Sequence, residues 1–394
     1  MIRGLLVDLD DTLLANDSSR FLPVYFQRLS VSFPGQAGPD EVLKQLLRAT
    51  KRMVENKDPG STLKEVFDAA FYPALGLEAQ ALQLQVQAFY RDVFPGLRSL
   101  TAPLPGAVEL VRAARELGLS VVIATNPLLP QAAVEHRLDW AGLPQSVQHF
   151  ELLTTYEASH FAKPDPAYFA EILGRMGWRA SEAAMIGNDV GDDLQPAALL
   201  GLPVFHLGGA PDGDLPGGDH AAAIAWLRQG PTPRPTSATA SPQAIEARLR
   251  GQAAAVDVLT RGLSSEEWQR HPSGGGRSAL EIVCHLRDVE GEVTLPRLDL
   301  IRKQTNPFLD APDTAQWVVE RGYSAQSGPN AVEELGRLRL RLLQELDALA
   351  PEDWSRPARH ALLGPTTLAE LLSMAAEHEI VHLAGLRAAR PVVT

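Results

Sequence analysis

An α/β doubly wound parallel sheet followed by an all-α four-helix bundle is the architecture this 394-residue sequence predicts. Three observations carry that expectation. Short apolar runs alternate with helical patterns through the first half of the chain, the rhythm of strand–helix–strand units. The stretch Q-G-P-T-P-R-P-T-S-A-T-A-S-P, residues 229–242, sets four prolines among Thr, Ser, Ala and Gly. It can form neither a helix nor a central strand and reads as an exposed, stiff linker. Beyond it there is little strand signal, and four amphipathic stretches follow one another.

Taken in order, Gly4–Leu9 is a compact apolar run closed by acids, and Ser120–Ala124 and Ala183–Ile186 are similar. Such runs, each followed by a polar turn, are expected of buried parallel strands. Helical segments such as Gly106–Leu117 lie between them. Residues from about 18 to 98 break the rhythm with mostly helical patterns (Asp40–Val54, Leu63–Phe71, Ala79–Val93) and form an insertion after the first strand. The expected division is an α/β domain over 1–228, the linker over 229–242 and a bundle over 243–394. The bundle helices are read as Ala244–Leu263, Ser278–Arg302, Ala331–Leu349 and Thr367–Arg387.

Composition narrows the function classes. A formal charge of −12 argues against nucleic acid or an anionic membrane as partner, since both are polyanions. No apolar run approaches the length of a membrane span, and the N-terminal run meets an acidic cluster at Asp8, so no signal-peptide core fits there. A single cysteine, Cys284, rules out an intramolecular disulfide. The expected compartment is the cytoplasm.

The first strand ends in Asp8-Leu9-Asp10-Asp11-Thr12. In open α/β sheets the carboxyl ends of the strands line the ligand crevice. Carboxylates crowded there repel one another unless a cation is present, so a hard divalent ion such as Mg2+ is implied. Three further sites follow in order: Thr125-Asn126-Pro127 after the strand at 121–124, Lys163 before a helix begun by proline, and Asp189, Asp192 and Asp193 after the strand at 183–186. Thr125 and Asn126 offer a hydroxyl and backbone donors suited to an anionic oxygen.

Together, Asp8-x-Asp10-x-Thr12, Thr125, Lys163 and Asp189-x3-Asp193 resemble the four ordered motifs of the haloacid dehalogenase superfamily. The resemblance covers about residues 1–228 and implies a Rossmann-like core, with the helical insertion as its cap. It implies that Asp8 attacks phosphorus and Asp10 serves as general acid and base. It further implies that Thr12, Thr125, Asn126 and Lys163 meet the phosphoryl oxygens of a small phosphorylated metabolite, and that Asp8, the Asp10 carbonyl and Asp189 hold Mg2+. Asp193 is expected at the metal as well, or to orient Lys163 or a metal-bound water. Asn188 leaves the metal ligand free to slide by one position, and Asp11 and Asp192 read as solvated or capping residues. Dehalogenases of this superfamily lack the carboxylate two residues after the nucleophile; Asp10 favours a phosphatase. Arg20, Lys51 and Arg52 on the insertion read as a solvated face.

Near the C-terminus, His378-Glu379-x-x-His382 has the spelling of a zinc-protease helix. Ala388 stands where a third histidine would belong, and no later residue could replace it. The protease reading fails. At helical spacing His378 and His382 extend the stripe Leu368, Leu371, Leu372, Ala375, and His285 extends Ile282, Val289, Val293, so all three imidazoles are expected to face inward. S-A-L-E-I-V-C-H-L-R-D-V-E and the later L-A-E-L-L-S-M-A-A-E-H-E-I-V-H-L resemble the DinB-like four-helix bundles. The resemblance implies a divalent transition metal, Zn2+ or Ni2+, on His285, His378 and His382. It also implies that the chain can pair as a homodimer and, as an alternative main activity, metal-dependent ligand binding or transfer of small thiols. Glu379 and Cys284 lie about 100° around their helices from the neighbouring ligand. Glu379 is therefore expected at the surface or behind a ligand, and Cys284 as a buried structural thiol.

Overall fold

The computed structural model describes residues 2–32, 38–144, 149–210, 214–232 and 240–390; residues 233–239 of the proline-rich stretch lie outside the described residues. The chain divides into two compact units, Met1–Lys57 with Ser61–Asp165 and Ala180–Arg234, and Asp58–Gly60 with Pro166–Arg179 and Pro235–Thr394. The segment Pro166–Arg179, in the first half of the sequence, groups with the C-terminal half.

The first unit is built on a six-stranded parallel sheet: β1 (Gly4–Val7), β4 (Ser120–Ile123), β5 (Leu152–Leu153), β6 (Ala183–Gly187), β7 (Val204–Leu207) and β8 (Gly217–Gly218), in the order β5-β4-β1-β6-β7-β8. Gly4 of β1 stands opposite Ser120 of β4 on one side and Ala183 of β6 on the other. Leu5, Leu6 and Val7 are fully buried, which explains the uninterrupted apolar run: a strand covered on both faces has no polar side to show. Because β4 and β6 flank β1, their carboxyl ends and that of β1 meet at one crevice. Helices α5 (Ala107–Glu116), α6 (Gln131–Trp140), α8 (Gln195–Leu199) and α9 (His220–Gln229) belong to the same unit.

The insertion is helical, as expected: α1 (Ser18–Ser30), α2 (Pro39–Val54), α3 (Leu63–Phe71) and α4 (Ala79–Ala88). The last helix stops short of Val93 and passes into a π-helical turn, Phe89–Val93. The way in and the way out are tied together, because β2 (Leu14–Ala15) pairs antiparallel with β3 (Ala102–Pro103). An aromatic cluster fastens the insertion. Phe94 stacks on Trp140 of α6 at 5.4 Å, and the hydroxyls of Tyr25 and Tyr90 meet at 2.7 Å inside it.

The second unit is a helical bundle of α7 (Pro166–Met176), α10 (Pro242–Thr260), α11 (Ala279–Val289), α12 (Leu295–Lys303), α13 (Gly328–Asp347) and α14 (Leu368–Ala389). The single helix expected over 278–302 is two helices joined by a π-helical turn, Glu290–Thr294. Gly291 weakens the helix there, and Pro296 brings no N–H to continue it. Against the sequence expectation, the unit also carries a three-stranded sheet, β9 (Phe308–Leu309), β10 (Pro357–His360) and β11 (Gly364–Thr367), in which β10 pairs antiparallel with β11 and parallel with β9. Strands of two to four residues containing Pro and Gly give no alternation long enough to read. Helices α7 and α10 cross at near backbone contact: a Cβ on Gly251 would lie 2.5 Å from the Glu171 nitrogen and 2.6 Å from the Ala167 carbonyl. Arg387 of α14 donates to the Met176 carbonyl at 3.1 Å.

Candidate active site and candidate metal centre

Where β1 ends, Asp8 is 6 % exposed and its backbone N–H donates to Ile186 of β6. The buried Lys163 ammonium donates to Asp8 Oδ1 at 2.7 Å and to Asp193 Oδ1 at 2.5 Å. One cation thus serves two buried carboxylates. Burial pushes the Asp8 carboxyl up to about 7; Lys163 pulls it down, and the neighbouring Asp193 and Asp10 push it up again. A divalent cation would relieve that crowding, and a donor set of carboxylates and a backbone carbonyl suits a hard ion such as Mg2+.

The other expected residues lie around this pair. Asp10 is held by Asn16, whose Nδ2 donates to Oδ1 at 2.8 Å, and by an ion pair with the buried Arg137. Thr12 is fully buried and donates to Asn188 Oδ1 at 3.1 Å. Thr125, also buried, follows β4 and has its carbonyl held by the Thr154 hydroxyl at 2.6 Å. The neighbouring Asn126 has its Oδ1 buried with no partner among the described residues. Asp189 is exposed and starts a π-helical turn, Val190–Leu194, accepting the Asp192 N–H at 2.8 Å. The Asn188 side-chain oxygen accepts from Thr12, so it is Asp189 that would offer a carboxylate to a cation here. Asp193 turns both oxygens inward, one to Lys163 and one to the Asp189 N–H at 3.2 Å. It therefore orients the lysine and does not present itself as a ligand. A Cβ on Gly187 would meet Asp193 Oδ2 at 2.2 Å, so only glycine allows this approach. Arg20, Lys51 and Arg52 are exposed, as read from sequence.

The second unit brings the three predicted histidines together. Their candidate ligand nitrogens all lie within 4.8 Å of one another, and among the described residues no other group of three His, Cys, Asp or Glu side chains comes as close. The Nε2 atoms of His378 and His382 are 3.0 Å apart; two nitrogens on one tetrahedral zinc would be about 3.3 Å apart. His285 is buried with neither ring nitrogen partnered among the described residues. An orphaned buried polar group is costly, and a metal ion would satisfy it. Burial lowers His285 to about 4 and His382 to about 3, with nearby Arg277 and the neighbouring imidazoles adding to the effect. His378 is lowered too, by burial and by Arg277. Neutral imidazoles are the ligand form.

Two expectations need correction. His378 does not face inward: it is exposed, while His285 is buried and His382 half-buried. On its exposed side His378 lines a cavity with residues of α11, α12 and β10. Glu379 is at neither expected place. It is 3 % exposed and pairs with Arg339 at 2.7 Å, and Arg339 also holds Glu290 at 2.6 Å. The triad Glu290–Arg339–Glu379 sits in the bundle core as a structural ion cluster. Cys284 is a buried thiol whose ionisation burial raises to about 11, as expected of a structural residue.

Residues 2–201 match the family model of haloacid dehalogenase-like hydrolase, and residues 248–385 match that of the DinB superfamily. The chain belongs to the haloacid dehalogenase-like hydrolases. It carries a DinB superfamily domain after the hydrolase part. Among curated relatives, the glyceraldehyde 3-phosphate phosphatase of Methanocaldococcus jannaschii is 28 % identical over 204 residues, covering 51 % of this chain and 83 % of that protein. The phosphoglycolate phosphatase of Caulobacter vibrioides is 29 % identical, covering 39 % of this chain and 60 % of that one. The phosphoserine phosphatase of Thermus thermophilus is 32 % identical, covering 36 % and 53 %. Among solved structures, a phosphatase of the same superfamily from Thermococcus onnurineus aligns at TM-score 0.37 and 16 % identity, over 59 % of this chain and 99 % of that one. YfiT from Bacillus subtilis, a four-helix bundle of unusual topology, aligns at TM-score 0.33 and 18 % identity, over 37 % and 81 %.

Sequence reasoning missed two neighbours of this hydrolase crevice, Asn16 and Arg137. A signal existed for the second. On α6, Arg137 lies three residues after Val134 and beside Leu138, both fully buried, so an arginine on that stripe must find an acid inside.

Proposed function

We propose that the first unit is a Mg2+-dependent phosphatase acting on a small phosphomonoester through an aspartyl-phosphate at Asp8. The observation that carries this reading is Lys163 bridging Asp8 and Asp193 at the strand ends, with Asp10 held two residues further on. Asp8 Oδ would attack phosphorus as the bond to the leaving oxygen breaks, and Asp10 would give that oxygen its proton. Asp10 would then take a proton from water, whose oxygen attacks phosphorus, breaks the bond to Asp8 and frees inorganic phosphate. Lys163 and the Thr125 hydroxyl would stabilise the phosphoryl oxygens. Bound Mg2+ would neutralise charge on those oxygens and keep Asp8 ionised. Asn16 and Arg137 would fix the direction in which Asp10 hands over its proton. An acid at position 10 is needed for an alkoxide leaving group and idle for a halide, which favours phosphatase over dehalogenase. The three curated phosphatases act on phosphorylated molecules of two or three carbons, and this size class supports the substrate reading.

For the second unit, the reading is a divalent transition metal, Zn2+ or Ni2+, on His285, His378 and His382, with three nitrogens leaving a position open to a ligand.

The deciding experiment measures phosphate release from glyceraldehyde 3-phosphate, phosphoglycolate and phosphoserine with and without Mg2+. Asp8→Asn is expected to lower the Mg2+-dependent rate by at least about a thousand-fold. Full retention of activity would end the reading.

A further inference from the structure

The histidine triad opens on a cavity of about 230 Å3 that neither reading above uses. Its walls come from the end of α11 and the turn after it (Val289, Val293), α12 (Arg297), β10 (His360) and α14 (Met374, His378). His378 is therefore shared: one candidate metal ligand and part of the cavity wall. The volume lies below the range of drug-sized sites, so the occupant is small. No aspartate or glutamate lines the cavity.

Two donors converge there. The Arg297 guanidinium is anchored through Nη2 on the Asp310 carbonyl, and its Nε and Nη1 have no partner among the described residues. His360 Nδ1 accepts the Leu362 N–H at 3.2 Å, so the ring proton sits on Nε2, which is likewise unpartnered among them. Burial and the nearby Arg297 charge hold His360 below its ordinary range and keep it neutral. A guanidinium edge beside an N–H is the donor set of a carboxylate. The charge balance agrees. Arg277 acts on all three histidines, with Asp288 opposing it at His285. Asp310 acts on Arg297 from outside the lining, and a divalent ion would add further positive charge to a cavity that no acid lines.

We infer that this cavity binds a short organic carboxylate, its carboxyl group on Arg297 and His360 and its other end toward His378 and the metal. The inference rests on the metal reading of the triad, and the test separates the two. Full-length protein is loaded with Co2+ in excess Mg2+, so that the acidic crevice holds the hard ion, and cobalt is counted per chain against His378→Ala. Succinate and its neutral diamide, succinamide, are then titrated by visible cobalt spectrum and calorimetry. Succinate is expected to shift the spectrum saturably, and succinamide to bind at least about ten-fold more weakly. Arg297→Met and His360→Phe should each weaken succinate about ten-fold with the cobalt count unchanged. Equal binding of acid and diamide, or unaltered succinate affinity in both variants, overturns the inference and leaves the metal site standing. Absence of any cobalt that His378→Ala removes overturns both.

Discussion

The two candidate sites solve the same electrostatic problem in opposite ways. In the crevice the excess is negative, and the chain supplies a cation of its own: Lys163 stands between Asp8 and Asp193. In the bundle Arg277 acts on all three imidazoles, and among the described residues nothing partners the two nitrogens of His285. On the proposed readings, the first site would take a hard ion beside its lysine and the second a borderline one, so ligand softness would sort the metals.

The strongest way to break this comparison is to remove the internal cation. Lys163→Met leaves two buried carboxylates facing each other. It should cost about 3–5 kcal/mol of stability and about a hundred-fold or more in phosphate release. Calorimetry and rate assays check this, and Mg2+ should restore part of the stability. The bundle has a matching test away from its metal site. Arg339→Met strands Glu290 and Glu379 and should cost a similar 3–5 kcal/mol in urea titration, with metal content unchanged. Replacing both glutamates by glutamine in that background should recover much of the loss.

A subtler test uses the opposite signs of the two sites in metal-free protein. Asp8 is raised above its unfolded value, so its contribution is fully present below about pH 4 and is lost as pH rises through about 7. His285 and His382 are depressed, so theirs is present above about pH 6.5 and is lost as pH falls toward 4 and 3. Unfolding curves of the metal-free chain from pH 3.5 to 8 should show the first unit weakening with rising pH and the second with falling pH. Parallel trends would contradict the contrast. Smallest is a local effect. Ser278 caps α11, which carries His285, in a capping box with Glu281; Ser278→Ala should cost about 1 kcal/mol without changing metal stoichiometry.

What the sequence made legible was local. Asp8, Thr125 and Asp189 follow strand ends and Lys163 precedes a helix begun by proline, so all four could be placed without knowing the fold around them. The histidine triad needed only helical period on two helices. What stayed hidden depended on approach in space. Asn16 and Arg137 find Asp10 only through tertiary packing. The three-stranded sheet is too short to announce itself, and the burial of Glu379 depends on a partner forty residues away, Arg339. The break in the second bundle helix was written in Gly291 and Pro296 but was outweighed by an unbroken apolar stripe.

One packing detail bears on how this protein can be cut. Helix α7 begins three residues after Lys163, yet it packs on α10 and α14, with Gly251 allowing the close crossing. A cut in the proline-rich stretch would put α7 on one fragment and those two helices on the other. The two family signatures are separable on paper and interlocked in the chain. A clone stopping before residue 233 would expose a helix whose residues 167–174 are all buried. A fragment meant to carry the C-terminal helices therefore has to keep Pro166–Arg179 with them.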